Sequence, residues 1–130
     1  MKKFAFVVLA LLLVGCATKP ILNVENRPIP LNAQQLPLNR IEAEIMAAGQ
    51  SRSWQMQREA PGHLIATQVR TNYNASVDIR FDQKTYSIIH RSSSGMREKD
   101  GSIHKRYNFW IGNLQRDIDA HLTNAALARN

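Results

Sequence analysis

The chain has 130 residues, a formal net charge of +7, and 44% hydrophobic against 21% charged residues. That length holds one domain of ordinary size and leaves little for a second. A single cysteine, Cys16, excludes any disulfide within the chain.

The apolar residues are unevenly spent. Met1-Lys2-Lys3 precedes eleven apolar residues without a charge, Phe4 to Val14. A bilayer-spanning helix needs about 20 apolar residues, so this run is too short. A basic start followed by a short apolar core is instead the secretory signal pattern. The run closes on Leu13-Val14-Gly15-Cys16, which resembles the lipobox of bacterial lipoproteins. The resemblance implies a signal peptide over 1–15, alkylation of the Cys16 sulfur by diacylglycerol, cleavage just before Cys16, and fatty acylation (palmitate, for example) of the new α-amino group. Small side chains suit a protease cleft, and a thiol is nucleophilic enough to form the thioether. Each buried CH₂ contributes about 0.8 kcal/mol, so two or three acyl chains make a firm anchor. Alanine rather than aspartate at position 17 implies, by analogy with enteric lipoproteins, the periplasmic face of the outer membrane. Without Lys2 and Lys3 the chain keeps 15 basic and 10 acidic side chains. That excess favours anionic partners such as lipid headgroups, lipopolysaccharide or peptidoglycan carboxylates, and nucleic acid is a poor candidate for an exported protein.

Residues 16–37 carry four of the five prolines, which disfavours helix and central strand. A tether reaching about 60 Å in extended geometry is expected; in the alternative, Ile29 and Leu31 pack onto the domain as an edge segment. A single domain follows over 38–130. Leu38, Ile41, Ile45 and Ala48 share one helical face, with Asn39 and Glu42 as a capping box and Gly49 as the stop. Alternation in SWQMQRE, LIATQVRT, SVDIRF and TYSIIHRS predicts antiparallel strands separated by turns at Ala60-Pro61-Gly62-His63, Asn72-Tyr73-Asn74 and Asp82-Gln83-Lys84. A loop over 92–101 leads to a last helix whose stripe is Ile103, Tyr107, Trp110, Leu114, Ile118, Leu122 and Ala125. The expected fold class is α+β: two layers, with a three- or four-stranded antiparallel meander and an N-terminal and a C-terminal helix on one face. Trp54 after the first helix, the Ser-rich end of the meander and YNFWIGNLQRDI at 107–118 are similar to a group of small bacterial lipoproteins without an assigned activity. The resemblance spans most of 38–122. It departs at Ser53, where that group has glycine, and in the more charged stretch 93–98.

No catalytic constellation stands out. His63, His90, His104 and His121 lack the spacing of a metal site, so neither metal nor cofactor is expected. A Ser93, His90, Asp100 triad can be drawn, but no G-x-S-x-G elbow supports it. The binding reading is better founded. Arg91, Ser92, Ser93, Ser94, Arg97, Lys99, Lys105 and Arg106 cluster around a predicted helix start, a composition suited to anions. Against that stands a merely solvated loop, since Glu98 and Asp100 dilute the charge. Tyr107 and Trp110 fall on the core stripe, leaving Phe109 as the exposed aromatic. The expected function is a non-catalytic, membrane-anchored binding or accessory module of the cell envelope, whose partner is an anionic envelope component or another envelope protein. The alternative is an envelope hydrolase acting on peptidoglycan or lipid.

Overall fold

A computed structural model describes residues 17–129. The signal peptide and the Cys16 attachment expected above lie outside the described residues. The architecture is α+β, with two antiparallel sheets and two α-helices. In chain order the elements are β1 (Thr18–Pro20), β2 (Val24–Pro28), a 3₁₀ turn (Leu31–Ala33), α1 (Leu38–Gln50), β3 (Gln55–Ala60), β4 (His63–Val69), β5 (Asn74–Phe81), β6 (Thr85–Ser94), β7 (Ser102–His104) and α2 (Lys105–Arg129). The main sheet runs β2-β6-β5-β4-β3, and β1 pairs with β7 apart from it.

The inner strands of the meander alternate in burial. On β5, Ala75, Val77, Ile79 and Phe81 are buried while Ser76, Asp78 and Arg80 face outward, and the matching residues of β4, Leu64 and Ala66, lie opposite Ile79 and Val77. Both helices cover the buried face. Ile41, Ile45 and Ala48 of α1 meet Tyr107, Ile111, Leu114, Ile118 and Leu122 of α2 over this sheet in one core. At 1.5 Å per residue the 25 residues of α2 make a helix about 37 Å long. Its attachment to the far edge is polar: Tyr86 is fully buried on β6, and its hydroxyl donates to Asp119 on α2 at 2.7 Å. Arg27 on β2 donates to the same carboxylate at 2.7 and 2.9 Å. Burial first, then the Asp119 carboxylate, pushes the Tyr86 phenol far above its ordinary range.

The segment expected as a tether is built into the fold. β2 forms the fifth strand of the sheet at the edge of β6, and Val24, Ile29, Ala33 and Leu36 are buried in the core. Ile29 packs as the edge-segment alternative required, whereas Leu31 remains 84% exposed. The prolines are tolerated because they stand at strand ends and on an edge, where no ladder donor is lost: Pro20 ends β1 and Pro28 ends β2.

Three local expectations change. Helix α1 is preceded by Pro37 without a side-chain cap, and Asn39 lies inside it rather than at its cap. Gly49 is helical, and its role is close approach: a Cβ there would overlap the Met56 sulfur of β3. The left-handed residue that reverses the chain is Ser53, at φ 67°, a conformation that glycine adopts without strain. Ile103 and His104 belong to β7 rather than to the last helix. His104 caps the start of α2, its Nδ1 accepting the Arg106 amide hydrogen at 3.1 Å.

Candidate functional site: an arginine and aromatic end

The turn between β4 and β5 closes through the Arg70 amide donating to the Tyr73 carbonyl at 2.9 Å. It brings Arg70 and Tyr73 against the first turns of α2. The Tyr73 and Trp110 rings stack with centroids 5.8 Å apart and planes 21° apart, and Trp54 meets Trp110 edge-on at 6.3 Å. A guanidinium lies over each stacked ring, Arg70 at 5.8 Å from the Trp110 centroid and Arg106 at 5.2 Å from that of Tyr73. Arg106 also donates from Nη1 to the Tyr73 hydroxyl at 2.5 Å. Stacking orders a guanidinium while leaving most of its in-plane N–H groups free for an anion. Among the described residues, Arg70, Arg97, Lys105 and Arg106 form no ion pair with a carboxylate, unlike Arg27, Arg40, Arg52, Arg58 and Arg91.

Two hollows flank the stack. One, of about 420 Å³, is lined by Arg52, Trp54, Gln68, Arg70 and Trp110 among others. Gln68 is 2% exposed; its amide donates to the Arg52 carbonyl at 3.1 Å, and its Oε1 has no partner. The other, of about 200 Å³, is lined by Tyr73, Gly95, Met96, Arg97, His104 and Arg106.

The residues proposed from sequence as an anion site are therefore divided. Arg97 and Arg106 meet in the second hollow, and Lys105 is exposed beside them at the start of α2. Arg91 is on the outer face of the sheet, where it donates to Asp78 at 2.9 Å beside His63, itself 2.6 Å from the same oxygen. Burial alone would raise the Asp78 carboxyl, but these two hydrogen bonds outweigh it and hold it below the usual carboxylate range. Ser92, Ser93 and Ser94 belong to β6 rather than to a loop, because β5 extends to Asn74 and pairs with them. Lys99 is exposed in a tight turn bridged to Ser102. Arg70 and Tyr73 escaped the sequence reading. Their spacing across the Asn72 turn was the available signal, but only tertiary packing brings Trp110 and Arg106 to them.

His90 and Ser93 do come together with a carboxylate, and it is Glu98 rather than Asp100. The Ser93 hydroxyl donates to Glu98 Oε1 at 2.5 Å, and His90 Nε2 lies 3.3 Å from the same oxygen. That second approach is poorly directed, and His90 Nε2 makes no hydrogen bond. The carboxylate thus sits between serine and histidine, whereas a nucleophile relay places the histidine in the middle. The geometry is that of a clamp holding the 95–101 turn to β6. Among the described residues no three His, Cys, Asp or Glu side chains converge as a metal site.

His104 titrates under the influence of both burial and the charges of this end. Burial first, then the charges of Arg106, Arg97 and Lys105, hold its imidazole below the ordinary histidine value. The neutral form is also the one that caps α2. The unfolded residue titrates near about pH 6.5, so acidification protonates the unfolded chain before the folded one. Stability from this group is complete above that pH and is lost as pH falls through the lowered folded value. His104→Asn keeps a capping acceptor that does not titrate. Urea unfolding at about pH 7 and about pH 5 should therefore show a smaller stability loss for the variant than for the native chain; equal losses would remove this account.

Compared with protein-family models, with curated proteins and with solved structures, the chain matches none.

Proposed function

We propose that the chain is a lipoprotein of the bacterial cell envelope, held on the periplasmic face of the outer membrane through a diacylglyceryl thioether at Cys16. Its folded domain acts as a non-catalytic binding module for anionic envelope groups. The lipobox-like Leu13-Val14-Gly15-Cys16 supports the anchor. The observation that carries the binding role is the ring stack of Tyr73 and Trp110, which presents Arg70 and Arg106 without a carboxylate partner. Among the described residues Arg70, Arg97, Lys105 and Arg106 gather at one end without a carboxylate ion pair, and guanidinium groups held over rings keep donors free for a phosphate or carboxylate.

The anchor is tested in cells fed a fatty-acid probe. The native chain should incorporate the probe and lose its leader, and Cys16→Ala should do neither. Labelling that persists in Cys16→Ala would overturn the assignment.

A further inference from the structure

The first described residue is not at the end of a leash. The Ala17 carbonyl accepts the Lys105 amide hydrogen at 3.1 Å, and Thr18, Lys19 and Pro20 are paired with His104, Ile103 and Ser102. Ile21 donates to the Gly101 carbonyl at 2.9 Å, and Asn108 of α2 clasps the next turn through Pro20 and Leu22. Cys16 is one peptide unit from Ala17, about 3.8 Å between Cα atoms. Any membrane anchor on Cys16 therefore emerges beside the start of α2, with no chain to hold the domain away from the bilayer.

What surrounds that point is basic and apolar. Lys19, Arg97, Lys99, Lys105 and Arg106 are all exposed there. Two acids share this end, Glu98, which accepts from Ser93, and Asp100 in the turn, against five cations. The first turn of α2 contains Lys105 and Arg106 and no acidic residue, which opposes the positive end of the helix dipole. This arrangement is unfavourable for a free domain and is relieved by an anionic surface. Phe109 follows Lys105 by four positions, so the two share a helix face, and it is 68% exposed. An exposed aromatic beside cations is the composition of an interfacial membrane contact. After burial, the charges of Arg106, Arg97 and Lys105 also lower the His104 titration.

We propose that this end of the domain, formed by Arg97, Lys105, Arg106 and Phe109, rests on the anionic phospholipid headgroups of the same membrane that holds Cys16. The proposal rests on the lipoprotein reading and names the partner of its basic end. The cations meet lipid phosphates, Phe109 enters the headgroup boundary, and the turn at Asp82–Lys84 points away. That turn lies at the opposite end of β6, whose ten residues span about 33 Å.

If the Cys16 sulfur is a thioether, Phe109→Cys supplies the one free thiol for an environment-sensitive dye, and Lys84→Cys supplies a distal control. The full acylated chain is placed in vesicles of phosphatidylcholine with phosphatidylglycerol. The dye at 109 should shift to the blue and the dye at 84 should not. Each Lys or Arg near such a surface contributes about five-fold in partition at moderate salt. Arg97→Gln, Lys105→Gln and Arg106→Gln together should therefore weaken the docked state by about a hundred-fold, with circular dichroism confirming an intact fold. Pure phosphatidylcholine should likewise abolish the shift. An acylated chain whose dye at 109 reports water, or whose shift is indifferent to the three substitutions, would overturn the docking face and leave the anchor standing. A native chain that takes the dye at Cys16 and lacks fatty acid would overturn the anchor, and the docking proposal with it.

Discussion

A chain shortened to begin at Leu38 is expected to lose its stable fold. Residues 17–37 contribute Val24, Ile29, Ala33 and Leu36 to the core, each no more than 7% exposed. Fully burying a valine, isoleucine or leucine side chain contributes about 1.5–3 kcal/mol, so these three large side chains together supply roughly 5–9 kcal/mol. That is an upper estimate, yet it is comparable to the roughly 5–15 kcal/mol net stability of a typical domain. The loss does not end with area. Removing β2 strips β6 of its ladder partner and leaves Asp119 without Arg27. It also deprives the Ile88 neighbourhood of the cover that Val24 supplies opposite it. Thermal unfolding followed by circular dichroism should show no cooperative transition for the shortened chain, or one displaced far below that of the chain beginning at Ala17. A shortened chain that melts within a few degrees of the longer one would mean that the segment is a dispensable tether after all.

That segment also marks where sequence reasoning stopped. The interior strands were legible because their partners are adjacent in sequence and their alternation is clean, as in Val77, Ile79 and Phe81. The helices were legible from Ile41, Ile45 and Ala48 and from Leu114, Ile118 and Leu122. The strands β1 and β2 have three and five residues and include prolines. Their partners lie far away in sequence, Val24 opposite Ile88 and Thr18 opposite His104. No local period records such a pairing. The basic end was half legible for the same reason. Arg97, Lys105 and Arg106 are neighbours in sequence, but Arg70, Tyr73 and Trp110 join them only through packing. Arg91 and Ser93 are neighbours of that cluster in sequence, yet in the fold Arg91 donates to Asp78 and Ser93 to Glu98. A charge in sequence is a candidate; whether an opposite charge has already claimed it is a property of the fold.

Gly95→Ala should be among the most damaging single substitutions in the protein, and Gly101→Ala, six residues on in the same turn, a mild one. Both glycines adopt left-handed backbone, φ 72° and φ 80°, so alanine costs about 1–2 kcal/mol of conformational strain at either site. They differ in what a Cβ would meet. At Gly101 nothing lies within 4 Å. At Gly95 the new methyl would overlap the Asn72 carbonyl oxygen and come within 3.1 Å of Tyr73 Cα and Cβ. These are atoms of the β4–β5 turn and cannot rotate aside as the end of a flexible side chain would. Overpacking against such a wall adds about 1–3 kcal/mol, giving roughly 2–5 kcal/mol for Gly95→Ala. The turn that must yield carries Tyr73, so the same substitution should disturb the Tyr73–Trp110 stack and with it the placement of Arg70 and Arg106. Urea titration should separate the two variants by more than about 1 kcal/mol, and tryptophan emission of the folded state should change in Gly95→Ala alone. If both variants lose the same stability, backbone strain suffices and the close approach of the two turns contributes nothing. If Gly95→Ala is the weaker fold and its tryptophan signal moves, the contact between the 70–73 and 95–101 turns is what sets the arginine and aromatic end in place.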